Sequence, residues 1–446
     1  MKTLAELILE QFSRDPIDVS ISKGKIQTKL GQIPIEPAWL EAQRTLLEES
    51  RQNYLAVVNT LQNRGISVED IAKAMVEHHQ QLSGVQLNEE TTKEAVMRAL
   101  LDPMLQVSIM MGLELDQKAE EGKDLSDVVR QLIVKDDPLC NVDELLAKAP
   151  LHRLGIKAID RFHELDVTKS INLMRKLDSQ TDKKRVNMFA DDLIAAIVVM
   201  AERDLIEREK LPEPPLKKET KIQQSKKKRS RSDHITTKKL RQEVENRLKV
   251  YGLTVDRIAE IAYQNQKPFN PKLKPKDAVR LTKNLLGFGM LNRGDSATRE
   301  LYYAILFLFD IDQLIKNGKF SHALMQRFES NVKEYDRDPY IPLHYIVDGV
   351  VSRGDIARAR LGDNRRTENL ISPESRIAND LGLAAVGNVN QMIADQQRRK
   401  AERWMRRKAE RWMSRGSAAL NKGIKRISQF RPKRGRNNVQ NEHEGP

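Results

Sequence analysis

The chain has 446 residues, more than one hydrophobic core normally supports, so two domains are expected. Its formal charge of +14 is unevenly placed: residues 391–446 hold 16 Lys/Arg against 5 Asp/Glu, and residues 211–234 hold 8 against 3. The rest is close to neutral and offers no electrostatic footprint for a polyanion, while a single cysteine, Cys140, excludes an internal disulfide and fits a reducing cytoplasm.

Cys140 is followed by NVDELL rather than by the glycines and arginine with which a thiolate phosphatase cradles phosphate, so it reads as buried structure. The opening MKTLAELILEQFSRDP has acidic residues inside its apolar stretch and no small-residue cleavage site, so it does not read as a secretory signal. No run approaches 18 apolar residues; LIAAIVVMA at 193–201 has the length of a core segment, and no membrane span is expected.

Residues 1–43 form an N-terminal extension, a short helix followed by DVSIS-KGK-IQTKL, which alternates as a hairpin does. From Pro37 the pattern turns helical. PAWLEAQRTLLEESRQNYLAVVNTLQNRG stops at Gly65, and SVEDIAKAMVEHHQQL starts with Ser67 in a capping position. Helical stretches continue through a first domain at 44–207. A linker at 208–234 follows, rich in proline, serine and lysine. A second helical region occupies 235–390 and a basic tail 391–446. The fold class is therefore all-α: two tandem helical domains of related architecture joined by a basic linker, plus a basic amphipathic C-terminal helix.

The two helical regions look like copies. GISVEDIA at 65–72 matches GLTVDRIA at 252–259, and LELDQKAEEGK at 113–123 matches FDIDQLIKNGK at 309–319. DDPL at 136–139 matches RDPY at 337–340, and FADDL at 189–193 matches IANDL at 377–381. Four matches in one order, at offsets between 187 and 201, point to tandem duplication.

Acidic residues gather in the first copy at Glu69 and Asp70, Asp116, Asp136 and Asp137, Asp143 and Glu144, Asp166, and Asp191 and Asp192. Oxygen-only clusters suit Mg²⁺, which can polarise a phosphoryl oxygen and supply a water nucleophile. The plainer reading is that acidic residues in the first turn of a helix cap it and oppose its dipole, as expected for Glu69, Asp70 and Asp191. Asp192 is different: the helix after it is apolar nearly all round, so one of the pair borders the interior and needs a partner.

The order RGISVEDIA, MMGLELDQKAEEG, DDPLCNVDELL, LGIKAIDRFHELDVTKSI and NMFADDLIAAIVVMA resembles the phosphatidylglycerophosphatase A family, in its soluble all-helical branch of Gram-positive bacteria. The resemblance covers residues 44–205 and, more faintly, 235–390. It implies a lipid phosphatase of phospholipid biosynthesis that uses Mg²⁺ to convert phosphatidylglycerophosphate to phosphatidylglycerol. The enzyme would be peripheral on the inner face of the cell membrane. Position by position it implies catalytic roles for Asp143, Glu144, Asp166 and Asp192, and metal ligation by Asp137, Asp143, Glu144, Asp191 and Asp192. Glu69, Asp70 and Gln106 also match. The sequence departs from the family at Asp102, Pro103 and Met104 and at Asp160, Arg161, Phe162 and His163. In the second copy Arg257, His344 and Tyr345 replace Asp70, Asp143 and Glu144, while Asp312, Asp338, Asp363 and Asp380 remain, so that copy is expected to do no chemistry. His78 and His79 are expected to face solvent, and no HExxH, paired CxxC or GxxxxGK[ST] is present.

In the tail, RRKAERWMRRKAERWMSRG at 398–416 repeats itself. On a helix Ala401, Trp404, Met405, Ala409, Trp412 and Met413 share one face, with Arg399, Arg403, Arg407 and Arg411 opposite. Tryptophans beside arginines suit the surface of an anionic phospholipid membrane. Arginine-rich helices also bind nucleic acid through its phosphates, and packing on a protein is the third reading. The rival for the whole chain is a catalytically inactive helical scaffold that binds nucleic acid or a protein partner through linker and tail.

Overall fold

In a computed structural model the described residues are 20–22, 25–28, 31–34, 37–137, 140–179, 185–214, 237–288, 295–329, 343 and 376–429, with side chains described between residues 48 and 410 except at 178–179, 295–297, 329, 376, 378–380, 383–384, 387 and 409. The fold is all-α apart from a small meander near the N-terminus. There β1 (Ser20–Ser22), β2 (Lys25–Thr28) and β3 (Gly31–Pro34) pair antiparallel in that order, with Ile26 opposite Ile21 and Ile33. The expected hairpin is present and a third strand extends it. The short helix expected before it lies outside the described residues.

The front repeat comprises α1 (Pro37–Asn63), α2 (Val68–Ser83), α3 (Glu89–Leu100), α4 (Pro103–Glu121), α5 (Asp127–Lys135), α6 (Val142–Lys148), a 3₁₀ turn (Ala149–Leu154), α7 (Ile156–Thr168), α8 (Asn172–Ser179) and α9 (Ala190–Glu209). Helix α9 is its hub. Leu193 through Ala201 are buried on every side, and α9 packs against α2, α3, α4, α6, α7 and α8. Each of the larger aliphatic side chains so buried contributes about 1.5–3 kcal/mol. Close approach is made possible at Gly112 of α4, where a Cβ would lie 2.9 Å from Leu193 Cδ1 and 3.0 Å from Phe189 Cβ.

The rear repeat contains α10 (Thr237–Val250), α11 (Val255–Gln266), α12 (Pro275–Leu285), α13 (Asp295–Lys316) and α14 (His322–Glu329), and α15 (Arg376–Gln429) follows. Its local grammar copies the front. Ser67 accepts the amide of Asp70 at the start of α2, and Thr254 accepts the amide of Arg257 at the start of α11. Gly65 (φ 73°) and Gly252 (φ 71°) precede them in the left-handed region that only glycine enters cheaply. Much of the linker, and His344, Tyr345, Asp338 and Asp363, lie outside the described residues.

The chain divides into two compact units, residues 1–389, which hold both repeats, and residues 390–446. Among the described residues no single helix is long and apolar enough to cross a membrane. The expectation for His78 and His79 is corrected: both are buried, because α2 is covered on that side by α9 and α8. His79 Nδ1 is 2.9 Å from Glu202 and His78 Nδ1 is 3.2 Å from Ser170 Oγ. Cys140 is buried, as expected.

Candidate functional site

The site is assembled by helix ends around one lysine. Helix α7 carries Asp166 in its last turn and ends at Lys169, whose left-handed backbone (φ 43°) turns its side chain toward the start of α9. There Asp191 and Asp192 occupy the first turn, where the helix dipole favours negative charge. The Lys169 ammonium donates to Asp191 Oδ2 at 2.6 Å and to Asp166 Oδ1 at 2.8 Å, and lies 3.6 Å from Asp192 Oδ1. Asp143, in the first turn of α6, and Asp136, in left-handed conformation at the end of α5, add their charges to the group.

One ammonium does not neutralise this group. Burial, then the charges of Asp191, Asp143 and Asp166, hold the Asp192 carboxyl well above the usual carboxylate range. Burial, then Asp136, does the same to Asp143. Asp191 is pushed up by burial, against the pull of Lys169, to about 6. Burial acts to lower Lys169, but Asp191, Asp192 and Asp166 outweigh it and hold its ammonium above the ordinary lysine range. Like charges withdrawn from water raise one another's proton affinity, and desolvation enlarges the effect.

Beside the cluster, Asp116 is fully buried in α4. Its Oδ2 accepts the Phe189 amide at 3.3 Å, and its Oδ1 has no hydrogen-bond partner among the described residues. Burial raises its pKa, with the Arg64 guanidinium opposing. Arg64 itself pairs with Glu120 at 2.5 Å and donates to the Leu113 carbonyl at 3.1 Å.

Of the residues expected to be catalytic or to hold a metal, Asp143, Asp166, Asp191 and Asp192 are brought together. Glu144 instead pairs with Lys148 one turn on, and reaches the site only as a charge felt by Asp143. Asp137 is buried beside Cys140, whose amide donates to its carbonyl at 2.8 Å, and its charge acts on Cys140 and on Tyr303 of the rear repeat. Glu69 pairs with Lys93, and Asp70 completes a capping box with Ser67. Asp102 caps α4 by accepting the Leu105 amide at 2.8 Å, with Pro103 in the first turn where its missing amide costs nothing. Gln106 donates to the Leu100 carbonyl and accepts from Arg327.

Among the described residues no three His, Cys, Asp or Glu side chains are placed to hold a metal ion. The carboxylates offer oxygen donors of the hard kind, but in this arrangement the positive charge among Asp166, Asp191 and Asp192 is the Lys169 ammonium. Lys169 was not singled out in the sequence; its signal is a lysine three residues after Asp166, at the break between α7 and α8.

In the tail unit Arg399, Arg403 and Arg407 are exposed, as are Trp404 (57%) and Met405 (55%). Lys408 Nζ lies 4.9 Å from the Trp404 ring centroid. Arg411 and Trp412 lie in α15, and their side chains are outside the described residues.

Comparison with known proteins gives the lineage. Uncharacterized protein YpjQ of Bacillus subtilis (strain 168) is 30% identical over 141 residues, which is 32% of this chain and 77% of YpjQ. Uncharacterized protein YutG of the same organism is 30% identical over 152 residues, 33% of this chain and 87% of YutG. The chain belongs to the YpjQ/YutG family. A crystal structure of YpjQ, labelled DUF64, is 24% identical and aligns over 36% of this chain and 97% of its own, with a TM-score of 0.34. The low temperature requirement C protein from Listeria monocytogenes is 26% identical over 36% of this chain and 98% of its own, with a TM-score of 0.33. No family model matches the chain.

The YpjQ/YutG family corrects the resemblance to phosphatidylglycerophosphatase A. YpjQ and YutG are uncharacterized proteins, and they support neither phosphatidylglycerophosphate hydrolysis nor a part in phospholipid biosynthesis. Nor do they support the rival scaffold reading. Part of the physical reason is visible in the helices: Glu69, Asp70 and Glu144, which the motif order places beside the chemistry, act as caps and ion pairs. Acidic pairs at helix starts therefore carry less functional information than their spacing suggests.

Proposed function

We propose that Asp136, Asp143, Asp166, Asp191 and Asp192 form a divalent-cation site, suited to Mg²⁺ by its all-oxygen donors, with Lys169 as a built-in counter-charge. The observation that supports this is the mismatch of charge: several withdrawn carboxylates face one ammonium, and Asp192 and Asp143 are held protonated-prone by their neighbours. A divalent cation relieves that repulsion at neutral pH. Bound there, it would supply polarisation of an oxygen on an anionic ligand and orientation of a water. Lys169, Asp191 and Asp192 fix the charge balance around it, and Asp116 braces the turn at Phe189 from which Asp191 and Asp192 project.

The test is calorimetric titration of the full chain with Mg²⁺ and with Mn²⁺, beside Asp192→Asn. Saturable heat and a rise in Tm with the wild type, lost in the variant, are expected. Absence of both at millimolar metal overturns the proposal.

A second observation concerns the tail. An exposed tryptophan and methionine on a helix with exposed arginines supports attachment to an anionic lipid surface at the cytoplasmic face, each basic residue contributing on the order of 1 kcal/mol. The full chain should float with vesicles containing anionic lipid and not with neutral ones, and Trp404→Ala should reduce flotation several-fold. A DNA mobility shift without flotation would transfer the tail to nucleic acid.

A further inference from the structure

Two contacts between the repeats mirror each other. The amide of Ser126, which caps α5, donates to Asp310 of α13 at 2.7 Å. The amide of Ser321, which precedes α14, donates to Glu114 of α4 at 2.7 Å, and its hydroxyl donates to the same carboxylate at 2.5 Å. Glu114 and Asp310 are equivalent, 196 residues apart in the aligned LELDQ and FDIDQ segments. Ser126 and Ser321 are equivalent as well: each accepts the amide three residues on, Val129 at 3.5 Å and Leu324 at 3.4 Å. Front α5 packs on rear α13, and rear α14 packs on front α4. The serine of each copy thus caps onto the carboxylate of the other.

We infer that the rear repeat is a covalently tethered partner of the front repeat, joined to it by a two-fold-like interface in which equivalent residues exchange equivalent contacts. Reciprocity decides between this and the stacking of an open array. In a head-to-tail array the front copy presents one surface and the rear copy a different one, and such exchange does not arise. Here the same surface, the α4/α5 corner in front and the α13/α14 corner behind, is used by both. Two further contacts lie along it. Phe307 of α13 packs on Phe189, ring centroids 5.8 Å apart, and Arg327 of α14 donates to Gln106 of α4. Phe189 immediately precedes α9, so the rear repeat buttresses the turn from which Asp191 and Asp192 project. A copy kept for its surface can lose the carboxylates of the other, as His344 in place of Asp143 illustrates. The inference does not depend on cation binding.

The experiment uses the full chain with a protease site inserted in the 215–234 linker and cleaved after purification. The nicked halves are expected to co-elute on size exclusion as one species with unchanged helical circular dichroism. Glu114→Lys combined with Asp310→Lys is expected to weaken the association of the nicked halves more than tenfold. Should that double variant fail to fold, Glu114→Gln with Asp310→Asn is read in the same way, with a several-fold loss expected. Halves that separate on cleavage while each stays helical overturn the inference, as do variants that leave the association unchanged.

Discussion

Lys169 Nζ lies 2.6 Å from Asp191 Oδ2, joining the end of α7 to the start of α9. Because Asp166 and Asp192 share the same ammonium, replacing Lys169 by methionine leaves three carboxylates withdrawn from water without their counter-charge. Breaking one side of a buried ionic group costs about 3–5 kcal/mol. Lys169→Met is expected to lose an amount of that order in urea unfolding at pH 7, with much of the loss recovered at pH 4.5, where Asp191 and Asp192, both raised, take up protons.

The pH dependence of the wild type follows in sign from the same cluster. Asp191 is raised from 3.8 to about 6, so its favourable contribution is present in full below the unfolded value and is lost as pH rises through about 6. A carboxyl so moved costs the ionised fold on the order of 3 kcal/mol. Asp143 and Asp192 are raised too, so the loss continues above that window. Lys169, also raised, keeps its contribution through neutral pH and loses it only under alkaline conditions. Tm should therefore fall between pH 4 and pH 7 in chelator, and Asp192→Asn should flatten the fall.

Gly112 faces Leu193 and Phe189 closely enough that a Cβ would displace them. Gly112→Ala should gain a little helix propensity and lose more to overpacking, a net cost of about 1–3 kcal/mol. Thermal unfolding measures it, and a stabilised variant would contradict the packing described for α4 and α9.

Tyr251 occupies in the rear repeat the place that Arg64 holds in front, one residue before the left-handed glycine, and its hydroxyl donates to Asp312 at 2.7 Å. Burial, then this carboxylate, pushes the tyrosine above its usual range. Tyr251→Phe strands part of Asp312, still paired with Lys316 at 2.9 Å, and should cost about 1–3 kcal/mol in denaturant unfolding.

Much of the fold was legible in short-range chemistry. Ser67 reads as a cap because serine before an apolar helical period has few other uses, and one of Asp191 and Asp192 reads as interior because the run after them has no polar face; both are buried. The likeness between the two helical regions was legible in motifs whose turn glycines, Gly65 and Gly252, share the left-handed conformation. His78 and His79 were not legible: two adjacent imidazoles at the end of an amphipathic period look solvated until Glu202, over a hundred residues on, arrives to accept one of them. Lys169 was hidden for a related reason, since a lysine in a helix break is ordinarily a surface residue and its burial depends on where α9 begins. The Ser321–Glu114 contact spans 207 residues and depends wholly on how the repeats meet.

That exchanged pair of serine caps bears on how such a chain can change. In an association of identical subunits every substitution is made twice, once on each side of the axis, so a change that suits one position is imposed on its mirror image. Joining the copies in one polypeptide removes that constraint: glutamate can stand at 114 and aspartate at 310, or arginine at 64 and tyrosine at 251, and each half drifts toward its own task while the handshake between them is preserved.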